Sequence, residues 1–214
     1  MSNPNLTHLV FLLDRSGSMQ SIASDIVGGF EAFIDLQRGG EGLCTATLAQ
    51  FDNEYEVVYR GIAVGQVPPL ALFPRGMTAL HDSMGKLITD TAAEINALPE
   101  ENKPGTVIVA IMTDGLENAS REWRGPDVKA LVEQQTNDHG WDFLYMGADQ
   151  DAVEVGLGLG IKDGQSITYA KGKSRDTLLT VSENVRGYRN ARMEDACAVM
   201  PQFTDTQRKR LADE

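Results

Sequence analysis

The stretch "VFLLDRSGSM" (residues 10–19) runs four apolar residues into an aspartate, then spends five positions on Arg15, Ser16, Gly17, Ser18 and Met19. With the residues just before it, the run predicts a strand over 6–13. Asp14, Ser16 and Ser18 then set three oxygen-bearing side chains at alternate positions past the strand end. Two readings of those oxygens stand at this point. Serines after a strand commonly cap a helix, here one beginning near Ser21. Alternatively, the loop turns the three side chains inward around a hard cation, with Gly17 supplying backbone freedom and Met19 pinning the loop to the protein.

Working outward, Ile22, Ile26, Phe30, Phe33 and Ile34 recur at three- and four-residue steps and predict a helix over 22–37. "LCTATLAQF" (43–51) and "YEVVYR" (55–60) are separated only by "DNE" and read as a hairpin that supplies an antiparallel edge. "VPPLALFPRG" (67–76) holds three prolines and must be a connecting loop. A helix follows from Leu80, with Met84, Leu87, Ile88, Ile95 and Leu98 on one face and Pro99 at its stop.

"TVIVAIM" (106–112) is nearly continuous in apolar residues, as a central parallel strand covered on both faces must be. It too ends in an aspartate, Asp114. Beyond it lie a helix after Pro126, the strand "WDFLYMG" (141–147), a short helix near 150–157, a weak strand at 166–170 and a helix from Ser174. The last of these turns Leu178, Val181, Val185 and Tyr188 inward, and a short segment after Thr204 reads as peripheral.

This alternation predicts an α/β fold: a doubly wound, mostly parallel sheet with one antiparallel edge strand and helices on both faces. Ligands of such sheets bind outside the carboxyl ends of the strands, where Asp14 and Asp114 are delivered.

The 214 residues and 42% hydrophobic composition suit one sizeable core. With 31 acidic against 19 basic residues the net charge is -12, which repels a phosphate backbone and makes nucleic acid an unsuitable partner. No stretch reads as a signal peptide or membrane span. Cys44 and Cys197 lie in dissimilar contexts without metal spacing, and are expected to be reduced thiols of a cytoplasmic protein. The sequence says nothing of oligomeric state.

Five oxygen-bearing residues then stand together: Asp14, Ser16, Ser18, Thr78 and Asp114. A small divalent cation such as Mg²⁺ takes about six oxygens; two carboxylates neutralise it while hydroxyls add coordination without charge.

"DRSGSM" after an apolar strand, "GMTAL" (76–80) before a helix and "IMTDG" (111–115) after a second strand resemble, in order and in context, the metal-ion-dependent adhesion site of von Willebrand factor type A domains. The similarity of pattern spans residues 6–170, giving a domain over 1–170 and a C-terminal helical extension over 171–214, packed on it or next to it. The resemblance implies that Ser16, Ser18 and, in some states, Thr78 touch Mg²⁺ or Mn²⁺ directly, with Asp14 and Asp114 bound directly or through water. It also implies that one coordination position is left to an acidic residue of a protein partner, in a non-catalytic adaptor.

Two other classes stay open. A haloacid dehalogenase-like phosphohydrolase also places an aspartate after its first strand, and "GADQD" (147–151) distantly resembles its acidic motif. It needs a second aspartate as general acid where this chain has Ser16. A metal-free structural subunit is the third class. His81 and Asp82 beside the site lack a partner nucleophile, and "GLGLG" (156–160) reads as a helix end.

Overall fold

The computed structural model describes residues 2–212. β1 (Asn3–Asp14), β2 (Leu43–Phe51), β3 (Tyr55–Ala63), β4 (Pro104–Thr113), β5 (Asp142–Ala148) and β6 (Ser166–Tyr169) form one sheet in the order β3-β2-β1-β4-β5-β6. All neighbouring strands are parallel except β2 and β3. That pair is antiparallel because the chain between Phe51 and Tyr55 is too short for a crossover. β1 starts earlier than its apolar run: Asn3 pairs with Pro104, and the register shifts between Asn3 and Thr7.

The helices are α1 (Ala23–Arg38), α2 (Leu80–Ala97), α3 (Gly125–His139), α4 (Ala152–Gly158), α5 (Ser174–Glu194) and α6 (Asp205–Ala212). Strand alternation divides the core into two layers. Leu9, Phe11 and Leu13 of β1, with Ile108, Ala110 and Met112 of β4, face α1 and α5. Val10 and Leu12, with Val107, Val109 and Ile111, face α2 and α3. Phe11 packs edge-on against Phe30 and Phe33 of α1, with ring centroids 5.1 and 5.0 Å away. Burying such a ring contributes about 1.5–3 kcal/mol.

Leu178, Val181, Val185 and Tyr188 of α5 join the same apolar layer as Phe11, Phe30 and Phe33. α5 lies so close to α1 that a Cβ on Gly29 would meet Leu178 Cδ1 at 2.9 Å and Arg175 Cα at 3.0 Å. Hydrogen bonds between polar side chains link the two helices. Gln37 Nε2 donates to Ser182 O and Oγ at 2.9 and 2.8 Å, and buried Arg189 Nη1 donates to Gln37 Oε1 at 2.8 Å.

From β1 the chain builds outward through β2 to β3, and from β4 outward through β5 to β6. The direction of winding therefore reverses between β1 and β4, and a crevice opens at their carboxyl ends. Asp14 ends one of these strands, Thr113 ends the other, and Asp114 follows it.

Candidate metal centre

Asp14 is fully buried, yet both of its oxygens are held. Ser16 N donates to Oδ1 at 2.6 Å, and Thr113 Oγ1 donates to Oδ2 at 2.5 Å. Ser16 Oγ lies 3.0 Å from Ser18 Oγ, whose hydroxyl donates to Asp114 Oδ1 at 2.5 Å. Asp14, Ser16, Ser18 and Asp114 thus form one continuous hydrogen-bonded arc across the mouths of β1 and β4.

Thr78 reaches the arc from the second loop. A Cβ on Gly115 would stand 2.8 Å from Thr78 Oγ1 and 3.6 Å from Asp14 Oδ2, so both oxygens crowd the same glycine. Backbone pairing fixes the spacing of the three loops: Gly17 N donates to Gly76 O, Arg75 N to Arg15 O, and Asn118 N to Thr78 O. Thr78 N in turn donates to Asn118 Oδ1 at 2.9 Å.

The helix-cap reading of these side chains fails on geometry. The residue preceding α1 is Ile22 and the one preceding α2 is Ala79, and neither provides a side-chain cap. Ser16 does precede the short 3₁₀ turn Gly17–Ser21, but its hydroxyl makes no capping bond there.

Burial pushes the Asp14 carboxyl up to about 6, opposed by the hydrogen bonds from Thr113 and Ser16 and reinforced by the nearby charge of Asp114. Asp114 Oδ2 is buried and accepts no hydrogen bond. Two carboxylates at one point, one with a buried oxygen that accepts no hydrogen bond, favour a cation. Among the described residues no group of three or more His, Cys, Asp or Glu forms a metal cluster, so an ion here depends on the hydroxyls as well. Hard oxygen donors of this kind suit Mg²⁺ or Mn²⁺.

The structure adds residues that the sequence did not disclose. Thr113 orients Asp14. Lys171, just after β6, places its Nζ 3.4 Å from Asp114 Oδ2 and 4.0 Å from Asp149 Oδ2. Arg15 turns away from the arc and buries its guanidinium against Asp52, with Nε 3.0 Å from Oδ2. Asp52 also accepts Arg75 Nε at 2.8 Å and Glu54 N at 2.7 Å, while its carbonyl accepts Ala79 N at 2.8 Å. Burial works against its ionisation, but Arg75, the Glu54 amide and Arg15 together hold Asp52 below the usual carboxylate range.

The nearby residues weighed for catalysis are engaged elsewhere. The Asp82 carboxylate accepts the backbone N–H groups of Arg121, Glu122 and Trp123 at 2.7–2.9 Å. Glu117 accepts the His81 backbone N–H at 2.8 Å, and the same carboxylate oxygen lies 3.8 Å from His81 Nδ1. Asp151 of "GADQD" caps α4 by accepting Glu154 N at 2.9 Å. "GLGLG" closes α4 and turns at Gly160, whose φ is +82°.

No protein-family model and no curated protein matches the sequence. Solved structures do match in fold. The ArnB paralog VWA2 from Sulfolobus acidocaldarius aligns over 84% of this chain and 45% of its own, at 16% identity and a TM-score of 0.56. The pilus adhesin SpaC from Lactobacillus rhamnosus GG, in its open conformation, aligns over 87% of this chain and 30% of its own, at 13% identity and a TM-score of 0.62. Manganese-loaded TRAP protein of Plasmodium vivax aligns over 84% of this chain and 74% of its own, at 12% identity and a TM-score of 0.57. The chain thus spans less than half the length of the first two. Its architecture is that of the von Willebrand factor type A fold, a doubly wound sheet with a single antiparallel edge. The expected fold class is borne out.

Proposed function

We propose that this chain is a metal-dependent protein-binding module, with Asp14, Ser16, Ser18, Thr78 and Asp114 holding Mg²⁺ or Mn²⁺. The observation that carries the reading is the convergence of these five residues at the switch point between β1 and β4, with Asp114 Oδ2 buried, accepting no hydrogen bond and paired only with the Lys171 ammonium at 3.4 Å. When bound, the ion supplies an electrophilic point able to take a carboxylate from a partner protein.

The chain's own residues define that point. Asp14 and Asp114 neutralise the ion, and the neutral hydroxyls of Ser16, Ser18 and Thr78 complete its surroundings without quenching its charge. Ser18 is exposed and lies on the open side of the arc, so a partner reaches the centre from there. An acidic protein can in this way bind an acidic partner, since repulsion between charges more than about 8 Å apart is largely screened at physiological salt.

A binding role without catalysis is supported by the occupation of Asp82, Glu117 and Asp151 in backbone contacts. Cys44 and Cys197 are both free thiols, in keeping with a cytoplasmic location, and burial pushes the Cys44 thiol up to about 11. Among the described residues no helix is long and apolar enough to cross a membrane.

The test is affinity capture from native lysate on immobilised wild-type chain and Asp14→Ala, with Mg²⁺ and then with a chelator. The reading predicts a partner lost in both the variant and the chelator. A partner retained in both contradicts it.

A further inference from the structure

Lys171 lies on this face and has no role in the metal-site reading. It occupies the short 3₁₀ turn Lys171–Lys173 between β6 and α5, and that turn is built firmly. Ala170 N donates to Leu211 O at 2.8 Å, Lys173 N to Ala170 O at 2.7 Å, and Ser174 Oγ to the Lys171 carbonyl at 2.8 Å. From this base the ammonium reaches Asp114 Oδ2 at 3.4 Å, the oxygen that accepts no hydrogen bond. Its second neighbour, Asp149, holds a left-handed backbone conformation with φ of +49° and donates its N–H to Tyr169 O at 3.0 Å. A non-glycine residue kept in that region marks a locally constrained site.

The two contacts differ in weight. Asp114 offers a fully buried side chain and Asp149 one that is 54% exposed, while Lys171 itself is 38% exposed. The attraction to Asp114 is therefore the less screened of the two. The ammonium stands beside the carboxylate that a divalent ion would use.

We propose that Lys171 is a resident cation of the metal centre that competes with the divalent ion for Asp114 and, once displaced, becomes part of the site that receives a carboxylate. The inference rests on the proposed metal-dependent reading and extends it to a residue outside the three motifs. Removing the charge has two consequences of opposite sign. The divalent ion binds more tightly, because no resident cation opposes it. An external carboxylate binds more weakly, because one positive charge beside the ion is gone. A residue that merely supports the fold would weaken both.

The probes are Mn²⁺ and acetate. Free Mn²⁺ is followed by its electron paramagnetic resonance signal in titrations of wild type, Lys171→Gln and Lys171→Arg; acetate binding to each Mn²⁺-loaded protein is followed by broadening of the acetate methyl resonance. For Lys171→Gln the expected results are Mn²⁺ binding about threefold to tenfold tighter and a comparable loss in acetate affinity, the size expected for a partly exposed ion pair. Lys171→Arg restores both towards wild type. Unchanged affinities in Lys171→Gln, or a loss of both, overturn the proposal. A wild-type chain that binds no Mn²⁺ overturns it together with the metal reading, and that failure shows in the first titration alone.

Discussion

Arg15 and Asp52 form a buried ion pair next to the Asp14 arc, with the guanidinium Nε 3.0 Å from the carboxylate Oδ2. Arg15 follows Asp14 in the chain, and the carbonyl of Asp52 receives the N–H of Ala79, the residue after Thr78. The pair thus joins the loops that carry Asp14 and Thr78 through a residue at the β2–β3 turn. Replacing Asp52 with Ala leaves the buried Arg15 guanidinium with the exposed Glu56 carboxylate as its remaining ion-pair partner and should lower stability by about 1–3 kcal/mol in urea unfolding. Mn²⁺ affinity should fall with it, and a loss below about 1 kcal/mol would show that the strut is dispensable.

Thr113 holds Asp14 from the opposite side, through a hydroxyl 2.5 Å from Oδ2. Thr113→Val keeps the shape and removes the donor. Partners that orient a ligating group typically alter metal affinity by about 10- to 100-fold, so Mn²⁺ should bind Thr113→Val at least about tenfold more weakly. Titration calorimetry checks this, and an unchanged affinity would remove Thr113 from the site.

At Gly29 α1 packs closely on α5, and a Cβ there would meet Arg175 Cα at 3.0 Å and Leu178 Cδ1 at 2.9 Å. Gly29→Ala should cost about 1–3 kcal/mol through overpacking, despite the better helix propensity of alanine. A more stable Gly29→Ala protein would mean that α5 is free to shift outward.

His8 gives the fold a pH dependence unrelated to the metal. Burial lowers its pKa to about 4, and its ring nitrogens face Thr45 Oγ1 at 2.8 Å and Thr47 Oγ1 at 3.3 Å. An unfolded histidine titrates near 6.5, so between these values the unfolded chain binds more protons than the folded one. The stability associated with neutral His8 is full above about 6.5 and is lost as pH falls towards 4, by roughly 3 kcal/mol in all. The pH dependence of the unfolding free energy should flatten by that amount in His8→Gln, and an identical slope in the variant would rule His8 out as its source.

Much of this fold can be read along the chain because its main signals are local. Four apolar residues before Asp14, seven residues of mostly apolar character before Thr113, and three-to-four-residue spacing in α1, α2 and α5 each define an element without reference to the rest. Asp14, Ser16, Ser18, Thr78 and Asp114 stand out because each sits at a strand end or just before a helix. The supporting residues carry no such mark. Thr113 looks like the last position of a strand, and its bond to Asp14 closes over 99 positions of sequence. Lys171 follows a weak strand on the far side of β5 and meets Asp114 only because β6 lies beside β5 in the sheet. Arg15 is not marked by its place in the polar loop, and only the folded hairpin supplies the Asp52 that lets it be buried. The polar start of β1 was hidden for a similar reason: Asn3 gains its place from pairing with Pro104, not from its own pattern.

The role proposed for the Asp14 arc is to bind a divalent cation. Calorimetric titration of Mn²⁺ into the wild-type chain and into Asp14→Ala, with circular dichroism to verify that both are folded, tests it most directly. The account predicts one site in the wild type and none in the folded variant. A wild-type chain without a site, or a variant that binds Mn²⁺ equally well, would contradict it.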